Sequence, residues 1–224
     1  MPTSEDLGIV LLTLRVAGVA TALLLVPGVL AGLGLARYRG PGRGALETVL
    51  SLPLVLPPTA IGIVLLEALS PRHGLGAWLA DRGFELVFTW KGAVLAAMVM
   101  ASPLLVRSAR TAFEEVDPRL VGMARTLGCT PAAAFARVTL PLARRGILAG
   151  VVLAFSRALG EFGATIMVAG SIPGRTRTLA LAIFQEHQVG DDAEAFRLVG
   201  ITVLLAFAAL WLAEWIGRRG ARAR

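Results

Sequence analysis

Long apolar runs separated by short charged patches set the pattern of this chain. Five stretches stand out, Leu7–Ala36, Val49–Leu69, Ala93–Val106, Ile147–Gly170 and Leu198–Ile216, and the third extends naturally to Ala112. Runs near 20 residues are what a helix needs to cross a hydrocarbon layer about 30 Å thick. The pattern predicts an all-α integral membrane protein with five transmembrane helices, or six with a short outer helix around Gly76–Asp81. Composition agrees: 56% of the residues are hydrophobic and only 17% charged, against roughly 45–50% and 25% in soluble domains. Little is left for a soluble domain, so residues 1–224 are read as one transmembrane domain. The acidic start Met1–Asp6 differs from the basic start of a secretory signal, and the run behind it is longer than a signal's apolar core. It is read as a retained span.

Charge sharpens the picture. A formal +7 would point to nucleic acid in a soluble protein, but here Lys and Arg report topology first. With the N-terminus outside, fourteen basic residues fall inside: Arg37, Arg39 and Arg43, seven between Arg107 and Arg145, and Arg218, Arg219, Arg222 and Arg224. Six fall outside, and Arg15 and Arg157 stay within spans. The C-terminus is therefore expected in the cytoplasm, no nucleic-acid partner is expected, and the terminal arginines suit anionic membrane lipid.

Several chemistries drop out. Cys129 has no intramolecular disulfide partner, and His73 and His187 are far apart, so no Cys/His metal constellation forms. Neither histidine has a credible catalytic partner in sequence, which makes a membrane enzyme the weakest class. A nucleotide-binding P-loop ends in Gly-Lys-Ser/Thr. The sole lysine, Lys91, precedes Gly92-Ala93, and the glycine-rich Gly40–Gly44 lacks both signature residues. No cofactor is expected in this chain, and uphill transport would need a partner ATPase to bind ATP and Mg. A secondary transporter or channel remains the rival class, for which inverted repeats or titratable spans would be expected.

The spans are not smooth anchors. Pro27, Pro53, Pro57, Pro58 and Pro103 lie in or beside them, and freed backbone groups at membrane depth need neighbouring helices or a wet cavity. Prolines are common in membrane helices, which suffices for Pro27 or Pro103 alone. The stretch Leu52–Thr59 instead suggests a hinge or pathway, with Pro57, Pro58 and Thr59 as candidates. Gly28/Gly32 and Gly146/Gly150 have GxxxG spacing, read as packing within the chain. In the fourth span Arg157 and Glu161 are four apart and should pair, either as a neutralised structural contact, the preferred reading, or as a functional pair that lines a route or locks helices. Gly160, Gly163 and Thr165 add an open, small-residue face with weak donors, suited to a passing anion because conduction needs release as well as binding.

The segment 113–146, inside by the charge rule, is too polar to span and too short for a domain. Leu120, Val121, Met123, Ala124 and Leu127 give a helix with one apolar face, which Gly128 breaks. A second helix should start at Thr130-Pro131, with Thr as N-cap, and run through Ala132 to Leu140-Pro141. Read alone, it is either a hairpin joining two spans or a docking site.

Here the residues resemble a known family, the inner-membrane permease subunits of binding-protein-dependent ABC importers. Their signature is Glu-Ala-Ala, three residues, Gly, nine residues, then Ile-x-Leu-Pro. Ala124, Gly128 and Val138-Thr139-Leu140-Pro141 fit it, while Gly122 and Met123 depart from it. Ser51–Thr59, Phe88–Ala96, Arg125–Gly128, Phe155–Thr165 and Ile172–Leu179 resemble the molybdate permeases, with sulfate and tungstate permeases sharing Arg157–Gly163. The resemblance implies a multi-pass inner-membrane protein with the type I ABC importer permease fold. It also implies two copies of this chain, two ATPase subunits, an external binding protein, and molybdate rather than sulfate, thiosulfate or tungstate as cargo. Residues 113–146 would be the cytoplasmic coupling loop, with Ala124, Leu127, Gly128, Cys129, Thr130, Pro131, Ala132, Leu140 and Pro141 meeting the ATPase.

Overall fold

A computed structural model describes the backbone of residues 4–72 and 74–222 and the side chains of 5–72 and 74–211. His73, Arg224 and the side chains of Arg218, Arg219 and Arg222 lie outside the described residues. The fold consists of helices and the loops that join them, with no strand among the described residues. It runs α1 (Ser4–Arg37), α2 (Arg43–Val55), α3 (Pro58–Leu69), α4 (Gly74–Ala80), α5 (Trp90–Glu114), α6 (Pro118–Thr126), α7 (Pro131–Ala134), a π-helical turn (Phe135–Thr139), α8 (Leu140–Leu159), α9 (Gly163–Ala169), α10 (Leu179–Val189) and α11 (Asp192–Arg222).

The core is α5, gripped by α1 and α8. Arg15 stacks on Trp90, and Gly28 and Gly32 sit on Leu105 and Ala109, so α1 and α5 run parallel. A Cβ on Gly32 would come within 2.7 Å of the Ala109 Cβ and 2.9 Å of two α5 backbone atoms. Gly146 and Gly150 of the antiparallel α8 meet Ala112 and Ser108 in the same way. Both GxxxG pairs thus close on one stretch of α5, where lipid offers no rival hydrophobic drive and close van der Waals approach decides packing. Ala17, Ala20, Ala93, Ala97, Ala101 and Ala154 fill the contact, all at most 1% exposed.

Because α1 and α5 are parallel spans, the chain between them must return once across the layer. The α2–α3 pair does this, bent by 107°. The expected single span Val49–Leu69 is therefore two helices. Leu56, preceding a proline, is pushed to extended backbone at φ −70°, ψ 145°, and Pro57 and Pro58 have no N–H to continue the ladder. α1, by contrast, runs unbroken through Pro27.

The expected span Ile147–Gly170 is also corrected. α7, the π-turn and α8 form a continuous apolar helix from Pro131 to Leu159, and the chain then breaks at Gly160–Phe162 before the short α9. Nor does the helix from Thr130 stop at Leu140-Pro141. Pro141 has no N–H for the Arg137 carbonyl, and the widened turn, in which the Leu140 N–H reaches the Phe135 carbonyl, carries the helix past it. The short helix expected around Gly76–Asp81 appears as α4 (Gly74–Ala80), while α10 was not foreseen. α11 starts beside the start of α1, with Arg197 paired to Asp6 at 2.8 Å, and runs the same way, so its far end lies opposite the start of α1. Four helices are long and apolar enough to cross a membrane, and counting the bent pair as one span gives five candidates among the described residues.

Candidate functional site

Two regions carry the sequence-derived candidates. In the first, two broken spans meet. α3 and α9 both begin where their spans break, and each presents a glycine to the other. A Cβ on Gly163 would lie 2.6 Å from the Pro58 Cβ, and one on Gly62 2.7 Å from the Met167 Cβ and 2.9 Å from the Ala164 carbonyl oxygen. The two backbones therefore touch with no room for a methyl group. Glu161 spans the gap between α8 and α9. Its Oε2 accepts from Arg157 Nη1 at 2.6 Å and its Oε1 from the Ala164 backbone N–H at 2.7 Å. The expected Arg157–Glu161 pair is present, and the carboxylate also satisfies an orphan donor in the first turn of α9.

The far end of α9 is held as well. The Phe88 N–H donates to the Val168 carbonyl at 2.9 Å, with Phe88 at φ 57°. A bulky residue in that region is a true outlier, kept only where the surroundings over-determine it. Gly170 closes α9 at φ 66°, and a Cβ there would contact the Phe88 ring at 3.5 Å. The rings of Phe162 and Phe184, 4.9 Å apart, tie the break to α10.

Pro58, Thr59, Glu161 and Gly163 are thus gathered at one place, with Arg157 beside them. Pro57, Pro58, Thr59 and Gly160 are exposed. Thr165 is 1% exposed and faces packed protein, so the open face expected for it is not present in this arrangement. Sequence reasoning missed Gly62 and Phe88. Gly62, inside Ile61-Gly62-Ile63, was readable as a close-approach position, whereas nothing marks Phe88 for positive φ.

The second region starts at Glu114. The Asp117 carboxylate accepts from the Arg119 N–H at 2.8 Å and Pro118 sits at the first position, so α6 is capped as its residues dictate. It ends at Gly128, φ 87°, where the Cys129 N–H returns to the Ala124 carbonyl at 3.0 Å. Thr130 Oγ1 accepts from the Ala133 N–H at 3.2 Å, the expected N-cap. α6 buries none of its residues, and Leu120, Met123 and Leu127 stay exposed, Leu127 at 83%. The inner side of the segment is anchored by Phe135, against Phe113 and under Arg37, and by Val121, which packs on the cluster of Phe113 and Val116. Ala124, Cys129, Thr130, Pro131 and Ala132 occupy the tip between α6 and α7. Leu140 and Pro141 lie apart from it, in the first turn of α8 beyond the π-turn.

Known proteins place this architecture. Over 218 residues, 96% of this chain and 95% of the relative, the sequence is 44% identical to the molybdenum transport system permease protein ModB of Escherichia coli K12. It is 36% identical to the sulfate transport system permease protein CysT of the same organism, covering 92% of this chain and 76% of that one. Among solved structures, a bacterial ABC transporter involved in import of the acidic polysaccharide alginate superposes with a TM-score of 0.77 at 17% identity, over 97% of this chain and 80% of that one, a likeness of fold. Residues 28–222 match the binding-protein-dependent transport system inner membrane component family. With four helices long and apolar enough to cross a membrane, a fifth candidate in the bent α2–α3 pair, and the type I ABC importer permease fold, this multi-pass inner-membrane chain belongs to that family.

Proposed function

We propose that the chain is the permease subunit of an ATP-driven importer of molybdate. The observation that carries this is the 44% identity along nearly the whole length to a molybdenum transport permease, against 36% to a sulfate permease. Two copies would enclose the pathway, an external binding protein would deliver the anion, and two partner ATPase subunits would bind ATP and Mg. The basic residues favour placing the α6–α7 end in the cytoplasm. There the uncovered face of Leu120, Met123 and Leu127 and the tip from Gly128 to Ala132 offer the ATPase a surface the chain leaves unpacked.

The meeting of α3 and α9 is the gate in this reading. The positive end of α9 is already occupied by the Glu161 carboxylate, and an oxyanion arriving there would meet a negative charge. That favours the pair Arg157–Glu161 as a lock on the break over a role as an anion seat. Opening requires α3 to part from α9 at Pro58/Gly163, with Pro57 as the point where the backbone lacks a ladder hydrogen bond to lose.

The test is uptake into proteoliposomes containing the permease, its ATPase and the binding protein. Molybdate uptake should require ATP and resist a large excess of sulfate. Equal uptake of sulfate would move the cargo to that anion, and uptake without ATP would identify a secondary transporter or channel.

A further inference from the structure

Four charged side chains close into a ring where α2 begins and α5 ends. Arg43 Nε donates to Glu47 Oε1 at 2.8 Å, Arg110 Nη1 to Glu47 Oε2 at 2.6 Å, and Arg110 Nε to Glu114 Oε1 at 3.0 Å. Arg43 Nη2 completes it on the same Glu114 oxygen. Charge alternates around the ring. Two links are i,i+4 pairs within a helix and two join the helices. The side chains are 27–34% exposed, so the network is partly sheltered. An isolated surface pair would contribute little, but each carboxylate here engages two guanidinium groups.

Its place in the chain gives it a consequence. α2 buries none of its residues, and α5 is the helix it packs on most. The ring is therefore the specific hold on α2 at its first turn. Glu114 is the last residue of α5, directly before the loop that Asp117 caps into α6. At its other end α2 reaches the 107° bend, beyond which α3 lies against α9. A displacement of the α6–α7 segment has a short physical path through Glu114 and the ring into α2, and from there to the Pro58/Gly163 contact.

We propose that Arg43, Glu47, Arg110 and Glu114 are positioning residues that couple the docking segment to the α3–α9 gate. This rests on the reading of 113–146 as the ATPase contact. The ring acts through paired charge, with no demand for a particular residue at a particular corner, and its sign can be inverted.

That property supplies the test. Exchanging charges within α2 (Arg43→Glu with Glu47→Arg) keeps the i,i+4 pair and the net charge but sets like charges against each other across both interhelical links. Exchanging them within α5 (Arg110→Glu with Glu114→Arg) does the same. Combining both exchanges restores every link with inverted sign. In the reconstituted complex, each half-exchange should lower the anion imported per ATP hydrolysed by about tenfold, and the four-residue inversion should recover it to within about twofold. Wild-type coupling in either half-exchange, or no recovery in the inversion, overturns the proposal. If a half-exchange is missing from the membrane fraction, Glu47→Gln is measured in its place and must uncouple in the same direction. The underlying reading fails separately: if the wild-type chain does not retain the ATPase in detergent, the docking assignment falls, whereas half-exchanges that retain it and couple normally remove the ring alone.

Discussion

Replacing Glu161 by alanine probes the join between α8 and α9 most directly. The Glu161 side chain is 2% exposed and that of Arg157 27%. Removing one partner of a buried pair costs about 3–5 kcal/mol, because the other charge is stranded. Water reaches the partly exposed guanidinium, which reduces this to about 2–3 kcal/mol. The Ala164 N–H also loses its acceptor, adding about 1 kcal/mol. The total of about 3–4 kcal/mol corresponds to a melting temperature lower by about 10 °C for a chain of this size. The assay is intrinsic tryptophan fluorescence on heating the detergent-solubilised protein at a fixed scan rate. Glu161→Gln keeps an oxygen for Ala164 and should lose about half as much. Arg157→Gln combined with Glu161→Gln strands no charge and should recover most of the stability, yet transport should stay low if the pair locks the gate. A Glu161→Ala protein melting within about 2 °C of the wild type would refute the reasoning.

Gly128→Arg should leave the protein inserted, since a Cβ at Gly128 meets nothing within 4 Å and the φ of 87° costs only about 1 kcal/mol. It should nevertheless abolish transport-coupled ATP hydrolysis, and normal coupling in that variant would refute the docking assignment. Thr13 Oγ1 accepts from the Leu179 N–H at 2.9 Å where both residues are buried. Thr13→Val should therefore destabilise by about 1–3 kcal/mol in the same melting assay, while Thr13→Ser, which keeps the acceptor, should cost clearly less.

What was legible in the sequence follows from the range of each signal. Span existence came from local hydropathy, and Pro57-Pro58 announced their break because proline acts on its own backbone and the residue before it. The break at Gly160–Phe162 was hidden within a long, mostly apolar run, since glycine permits a break without requiring one and the Arg157/Glu161 spacing equally suits an unbroken helix. The Thr130 cap and the Arg157–Glu161 pair are short-range and were readable. Arg43–Glu47 and Arg110–Glu114 have the i,i+4 spacing but were not singled out, and their union depends on α2 returning to α5, which no local pattern records. The apolar face on α6 was also visible. Of that face only Val121 packs on the Phe113–Val116 cluster, while Leu120, Met123 and Leu127 stay exposed, a partition that periodicity alone does not reveal.

The double glycine seat on α5 also bears on synthesis. The Gly28/Gly32 groove of α1 enters the bilayer first, but its occupant around Ala109 follows roughly 80 residues later, about 4–16 s at ordinary translation rates. For that interval a strip suited to close helix contact faces lipid, open to any neighbouring helix of small residues, including α1 of another nascent copy. The arrival of α5 ends the exposure, and α8, translated next, packs on the adjoining flank of α5 and against α1 itself. The order in which the ribosome delivers the three helices thus matches the order in which their contacts can form.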